Sequence, residues 1–306
     1  MIEISTTIKS LEQAEALLKA GVNKLLFGED QFGLRLGQSF NRIEQEQLVK
    51  LAHTYDAKVC VMVNSLMHNQ QMEAIPDYLA FLKKIGVDEI MAGDPGVFQV
   101  MKQPEYALPY IYDAQTMVVS ARQINFWAKR GAVGGMLAHE VPYEELVKLT
   151  PELEVPATFL VYGAACIHQS RRPLIQNYLN YVKTDESVGK ERGLFISEPR
   201  KKDTQYSIYE DVNGTHIFAN HDVNLMGYMD RLSAINITSW KLDGLFVSES
   251  AFVAIAELFV GVKKLLEKGE LTEQHLVEFD SQLQVLHPQE RSIDTGFFLM
   301  DPEEVK

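Results

Sequence analysis

Cysteine is nearly missing from this sequence. Only Cys60 and Cys166 occur among 306 residues, so neither a disulfide framework nor a cysteine-built zinc site is supported. HExxH spacing is absent, and Gly28 and Gly33 form neither GxGxxG nor GxxxxGK[ST], which leaves no local metal or nucleotide signature. No stretch approaches the roughly 18 to 20 apolar residues of a membrane span. The start, MIEISTTIKSLEQAEALL, is amphipathic and lacks the charged and apolar regions of a secretory signal. A cytoplasmic protein without a membrane partner is expected. Positive charge is scarce too: 29 Lys and Arg face 42 Asp and Glu, a net −13, which read alone argues against nucleic acid.

What charge there is, however, is unevenly spread. Arg171 to Lys202 holds eight Lys or Arg against four Asp or Glu, leaving 21 against 38 elsewhere. A basic patch on an acidic body steers a polyanion or an acidic ligand, and a solvated loop with chance clustering explains the count equally well. Hydrophobic residues make up 46% of the chain, enough for a sizeable buried core.

The recurring pattern is a short apolar run, a polar or glycine-rich turn, then ten or more residues at helical spacing. Eight strands are expected, at 3–4, 24–27, 59–63, 89–92, 110–112, 135–137, 158–161 and 239–242. Between them Ser10 to Ala20, Arg42 to Tyr55, Met72 to Ile85, Ala121 to Arg130 and Tyr143 to Leu149 suit crossover helices. Ser10 and Asn41 look like N-caps, and Gly21, Gly86 and Gly131 follow helix ends. Strand–helix alternation implies parallel strands with right-handed crossovers. Eight such strands favour an α/β fold of the (β/α)8 TIM type over an open sheet, as a single domain over 1–306.

The rhythm breaks after the seventh strand, where a basic insertion over 163–222 is expected. It holds an amphipathic stretch, Pro173 to Val182, and a β-hairpin turning at Asn213-Gly214. A long insertion at a strand's C-terminal end is usually functional. Asp222 to Ile235 reads as a helix returning to the barrel, and 248–306 as two C-terminal helices with a polar tail.

Chemistry in such barrels collects where strands end. The polar residues there are Glu29, Asp30 and Arg35, then Asn64, Asp94, Asp113 and Gln115, then His139 and Glu140, and finally Cys166, His168, Lys241 and Asp243. Asp30, Asp94, His139, Glu140 and Asp243 have the donor types a divalent metal takes, although a turn with a helix cap accounts better for Asp94-Pro95-Gly96 and no metal is expected. Cys166 with His168 invites a thiolate–imidazole nucleophile, although His168 would need a turn to reach the thiol and a small buried thiol at the strand end accounts better for Cys166. Arg35, flanked by apolar residues, needs an anionic partner, either a nearby carboxylate or a substrate carboxylate or phosphate.

From Tyr162-Gly163-Ala164-Ala165-Cys166-Ile167-His168-Gln169-Ser170 onward the sequence resembles peptidase family U32, whose members carry a similar glycine, small-residue, cysteine and serine run after a barrel strand. Phe32-Gly33-Leu34-Arg35-Leu36 resembles the family's early arginine motif. Gln115 with Asn125 and Trp127 resembles its middle segment, His216 to Asp222 its pre-helix stretch, and Lys241-Leu242-Asp243-Gly244 its lysine–hydrophobe–acid–glycine motif. The resemblance spans nearly the whole chain. It implies catalytic roles for Arg35, Gln115, Cys166, Lys241 and Asp243.

Cluster-bearing members of that family keep a second cysteine seven residues after the first and two more further along, and here Pro173, Phe195 and Pro199 stand in those places. One thiolate cannot hold a cluster that takes four, so no iron–sulfur cofactor is expected. The family carries two activities: a collagenase-like protease label, for which no Ser–His–Asp or Cys–His set stands out here, and 5-hydroxylation of the wobble uridine of tRNA. Some bacteria use a short, cysteine-poor member for that hydroxylation beside a longer, cluster-bearing one. The resemblance therefore implies tRNA and a cluster-bearing paralogue as partners. Arg171, Arg172, Arg192, Arg200, Lys201 and Lys202 would touch phosphates, and Asn64, Asp94, His139, Glu140 and His168 the substrate, with a small carboxylate as the expected co-substrate. A metal-assisted peptidase using Asp94 or His139, and a non-catalytic subunit that positions RNA, are the alternative readings.

Overall fold

The computed structural model describes residues 2–305, with the side chains of Thr116, Lys202 and Asp203 outside the described set. Seven parallel strands come first: β1 (Glu3–Thr7), β2 (Lys24–Phe27), β3 (Lys58–Met62), β4 (Glu89–Ala92), β5 (Tyr110–Tyr112), β6 (Ala132–Met136) and β7 (Ala157–Gly163). Between them lie α1 (Leu11–Ala20), α2 (Arg42–Thr54), α3 (Asn69–Ile85), α4 (Pro95–Val100), α5 (Ala121–Ala128) and α6 (Tyr143–Leu149). An inserted region follows, with β8 (Cys166–Ser170), α7 (Leu174–Val182), β9 (Phe195–Glu198), β10 (Lys201–Asp211), β11 (Gly214–Phe218) and β12 (His221–Asn224). The chain ends with α8 (Met229–Ala234), β13 (Ser239–Leu242), α9 (Glu249–Lys268), α10 (Glu273–Leu286) and β14 (Ser292–Asp294).

β13 pairs in parallel with both β1 and β7, which closes the eight strands into a (β/α)8 barrel. Inside it Leu26, Cys60, Met62, Met91 and Ile111 pack as one small cluster, while the larger core fills the space between strands and helices. This is the layered, filled interior of a TIM barrel, which opens at its C-terminal mouth.

Local chemistry sets the helix ends. The Ser10 hydroxyl accepts from Gln13 N at 3.0 Å, and Asn41 with Glu44 forms a reciprocal capping box on α2. The helix cap read at Asp94-Pro95-Gly96 is present: Asp94 caps α4 and Pro95 occupies its first turn, while the six-residue helix itself is too short to give a periodic signal.

The insertion is more ordered than one hairpin. β8, β11, β10 and β9 form a separate antiparallel sheet in that order, and the hairpin between β10 and β11 turns at Val212-Asn213, one residue before the expected Asn213-Gly214. Gly214 opens β11 opposite Asp211 with φ 101°, and a Cβ there would stand 2.1 Å from the Ser170 carbonyl oxygen, which selects glycine.

The segment from Asp222 is not a continuous helix. Its first residues form β12, antiparallel to the end of β7, and α8 covers only six residues. Asp222 explains the difference. It is 1% exposed and grips Arg291 through both carboxylate oxygens, with Arg291 Nε donating to Oδ2 at 2.8 Å. That grip draws the C-terminal tail alongside as β14, parallel to β12, a pairing no local pattern encodes.

Candidate active site at the barrel mouth

A cavity of about 70 Å³ opens at the C-terminal end of the strands, and Arg35, Asn64, Asp113, Gln115, His139, Cys166, Lys241 and Asp243 line it. At roughly 30 Å³ per water, it admits a carboxylate-sized group or the edge of a ring.

Two of its walls rest on uncommon backbone. Arg35 has φ 53° and Gln115 φ 61°, left-handed conformations that non-glycine residues adopt at a cost of about 1–3 kcal/mol each. Surrounding bonds hold both. The Asn64 side chain accepts from Leu34 N at 3.0 Å and donates to Asp113 at 2.7 Å, while Asp113 accepts from both the backbone and the side chain of Gln115 at 2.9 Å. The inserted sheet braces the Arg35 loop from above: Asn213 Nδ2 donates to the carbonyls of Asp30 at 2.8 Å and Gly33 at 3.1 Å, and Lys190 Nζ to those of Leu36 at 3.1 Å and Gly37 at 2.5 Å.

The cavity holds two cations, Arg35 and Lys241, and two carboxylates, Asp113 and Asp243, and of these Arg35 has no opposite charge paired with it. Arg35 donates to Gln169 Oε1 at 3.0 Å, and among the described residues no carboxylate stands within ion-pair distance of it. Lys241 is paired with Asp243 at 3.1 Å. His139 Nε2 is buried without a hydrogen-bond partner, and burial, together with the nearby cations Arg35 and Lys241, lowers the His139 pKa to about 4. A neutral imidazole with an unpaired ring nitrogen beside an unpaired guanidinium is a site prepared for an anionic ligand.

That depressed pKa has a measurable consequence. Unfolded, His139 binds a proton below the ordinary histidine pKa of about 6.5, whereas folded it does so only below about 4. Between those values the unfolded state holds the extra proton, so stability contributed by His139 is present above the upper value and is lost as pH falls through the window, with a slope of up to about 1.4 kcal/mol per pH unit. Unfolding curves of wild type and His139→Gln across that window check this. Parallel curves would refute it.

Cys166 is not paired with His168. The His168 ring is exposed on the outer side of β8, and only its carbonyl meets the thiol, at 3.4 Å. The imidazole beside the thiol is His216, which sequence reasoning did not single out. In the β8–β11 ladder a register shift skips Ile167 and sets Cys166 opposite Phe218, so His216, two residues from Phe218, projects from the same face. His216 is fully buried, and its Nε2 bonds Asp211 Oδ1 at 2.9 Å. Burial raises the Cys166 pKa, but His216 and Arg35 more than offset it and the net shift is downward. Burial lowers that of His216, and Asp211 and Cys166 reverse this to a net rise. A Cys–His–Asp set is therefore present, contrary to the sequence reading. Cys60, walled into the barrel interior, has its thiol pushed up by burial and is inert.

Other expected residues fall outside the cavity lining. Asp94 spends one oxygen on Gly96 N at 2.7 Å and the other on Met67 N at 3.1 Å, so it is a helix cap outside the cavity lining. Glu140 does not reach the lining, and burial raises its pKa. Among the described residues no group of three or more His, Cys, Asp or Glu could hold a metal ion, so the carboxylate–imidazole constellation does not assemble. Arg171, Arg172, Arg192, Arg200 and Lys201 are exposed on the insertion, away from the cavity. Arg192 is bonded to Glu186 at 2.9 Å, Lys201 stands 3.9 Å from Glu198, and the Arg171 guanidinium meets the Val212 carbonyl. The Lys202 side chain lies outside the described residues.

Fold and site together define a (β/α)8-barrel protein with a polar, thiol-bearing ligand cavity under an inserted β-sheet. The model of peptidase family U32 matches residues 9–306, and the chain belongs to that family. It is 31% identical over 303 residues to tRNA hydroxylation protein P2 of Bacillus subtilis (strain 168), covering 98% of each chain. To tRNA hydroxylation protein P1 of the same organism it is 21% identical, covering 79% of this chain and 58% of that protein. Among solved structures, dihydrodipicolinate synthase DapA-2 of Bacillus anthracis superposes with a TM-score of 0.51 at 10% identity over 99% of this chain and 94% of that one, a likeness of fold alone. The donor set does not fit the family's iron–sulfur cluster: Cys166 is the one thiol at the mouth, and the other cysteine is buried within the barrel. No helix among the described residues is long and apolar enough to cross a membrane.

Proposed function

We propose that this protein takes part in 5-hydroxylation of the wobble uridine of tRNA, without a cluster of its own and alongside a cluster-bearing paralogue. The observation that carries this reading is the Arg35 guanidinium in the barrel-mouth cavity, bonded to Gln169 and to no carboxylate among the described residues, conjoined with full-length similarity to a protein named for tRNA hydroxylation. In it, unpaired Arg35 and neutral His139 receive the carboxylate of a small co-substrate or the carbonyl edge of a flipped-out uracil. Asn64, Asp113 and Gln115 fix the cavity wall, and Lys241 with Asp243 forms its floor. The exposed arginines and lysines of the insertion provide the phosphate contacts, supported by the positive balance of 171–202 on a chain of net charge −13.

Deleting the gene in a strain that lacks a redundant paralogue is expected to remove 5-hydroxyuridine derivatives from tRNA, read by mass spectrometry of digested nucleosides. Unchanged nucleosides in that strain would refute the assignment.

A further inference from the structure

The assembly of Cys166, His216 and Asp211 is not needed for binding an anion, and its parts are arranged for something else. Asp211 Oδ1 is itself fixed by Asn213 N at 2.7 Å, and it holds His216 Nε2 at 2.9 Å. With Nε2–H directed at a carboxylate, the other ring nitrogen is the basic one. That atom, His216 Nδ1, is buried and makes no aligned hydrogen bond, while the Cys166 proton is directed to the His168 carbonyl at 3.4 Å. A fully buried imidazole with an unfilled acceptor beside a thiol that opens into the ligand cavity is a nucleophile with its base in reserve. The other charged or titratable groups facing the thiol are Arg35 from the β2 loop and Tyr209 from β10, with Asp243 further along the mouth.

We infer that Cys166 is a nucleophile, held and deprotonated by His216 and Asp211, that adds covalently to C6 of a uracil ring presented at the barrel mouth. The inference rests on the RNA-modifying reading above and names its chemistry. The sulfur–C6 bond forms as the C5=C6 π pair moves onto O4, and the thiol proton passes to His216. C5 then takes a proton from water, to which His216 returns the one it accepted. Reversal removes either C5 hydrogen and frees the thiolate. Nothing is oxidised or reduced, and the net result is exchange of the C5 hydrogen, with C5 transiently nucleophilic. Cys166 is the catalytic residue, and His216 and Asp211 are positioning residues that act through it.

The test uses the full-length protein and an unmodified tRNA transcript carrying tritium at C5 of its uridines. Wild type is expected to release tritium into water, and Cys166→Ser to release at least about 100-fold less. In parallel, the pH dependence of Cys166 alkylation by iodoacetamide is expected to have its midpoint below that of an ordinary cysteine, and His216→Gln to move it upward and cut the neutral-pH rate about tenfold. An ordinary midpoint that ignores His216→Gln would overturn the triad. A shifted midpoint with no tritium release would overturn the uracil adduct. If a Cys166→Ser gene restores full tRNA 5-hydroxyuridine to the deletion strain, the nucleophile falls while the proposed function stands. If deletion itself changes no nucleoside, the function falls first.

Discussion

An Arg35→Gln protein is expected to fold as stably as wild type while restoring about 100-fold less 5-hydroxyuridine to the tRNA of a deletion strain. Both halves come from one observation: the guanidinium has a single hydrogen bond, to Gln169, and no carboxylate partner among the described residues. Removing it strands no carboxylate, because Lys241 pairs with Asp243 and Asp113 is bonded by Asn64 and Gln115. The bound anion loses a charged hydrogen bond of roughly 2–3 kcal/mol, which as a barrier is a factor near 100. Activity thus falls while stability holds, as it does where a residue serves the ligand and not the fold. Glutamine keeps an amide donor on a shorter, neutral side chain, so a loss of less than about threefold would remove Arg35 from the site. The same variant should raise the His139 pKa, because Arg35 is one of the two cations holding it down.

Arg291→Ala should be the most destabilising exposed-tail substitution, by about 3–5 kcal/mol in chemical denaturation, because it strands the Asp222 carboxylate in the core. Asp222 is 1% exposed, Arg291 is its bidentate partner, and His287 stands 3.9 Å away, with burial holding the imidazole pKa below its usual value. The Arg291 guanidinium also lies 4.3 Å over the Phe246 ring. An Asp222→Asn/Arg291→Ala double variant should recover part of the loss, since the amide leaves no buried charge. A single-variant loss below about 1 kcal/mol would mean that the tail is held by other contacts.

The barrel could be read from the sequence because each of its signals is local: apolar runs two to seven residues long, capping residues beside them, and glycines where helices end. What was missed depends on distant partners. β12 reads as part of a helix because its apolar spacing suits either structure, and only pairing with β7 and β14 selects the strand. His216 was passed over for a similar reason. Its neighbours are Asp211, across the turn, and Cys166, fifty residues earlier, and neither follows from helical or strand spacing alone. The Asn213-Gly214 pair did mark the hairpin, one residue late. A two-residue hairpin facing Asp211 with Gly214 and Tyr209 with His216 fixes which side chains share a face. Asp94 misled in the opposite direction, since an acidic residue at a strand end and an acidic helix cap look alike until their acceptors are counted.

The inserted sheet leaves and rejoins the barrel at one spot. Gly163, the last residue of β7, is the ladder partner of Val223, and its φ of 113° suits only glycine because a Cβ would stand 2.1 Å from the Asp243 carbonyl oxygen. Two chain ends that meet side by side confine the insertion's covalent joins to one edge of the barrel, so the order of the strands beneath does not depend on the path taken by the residues between them. The U32 barrel thereby behaves as a socket and the roof as a cartridge seated in it, joined at Gly163 and Val223 and locked by Lys190 and Asn213 onto the loop that carries Arg35.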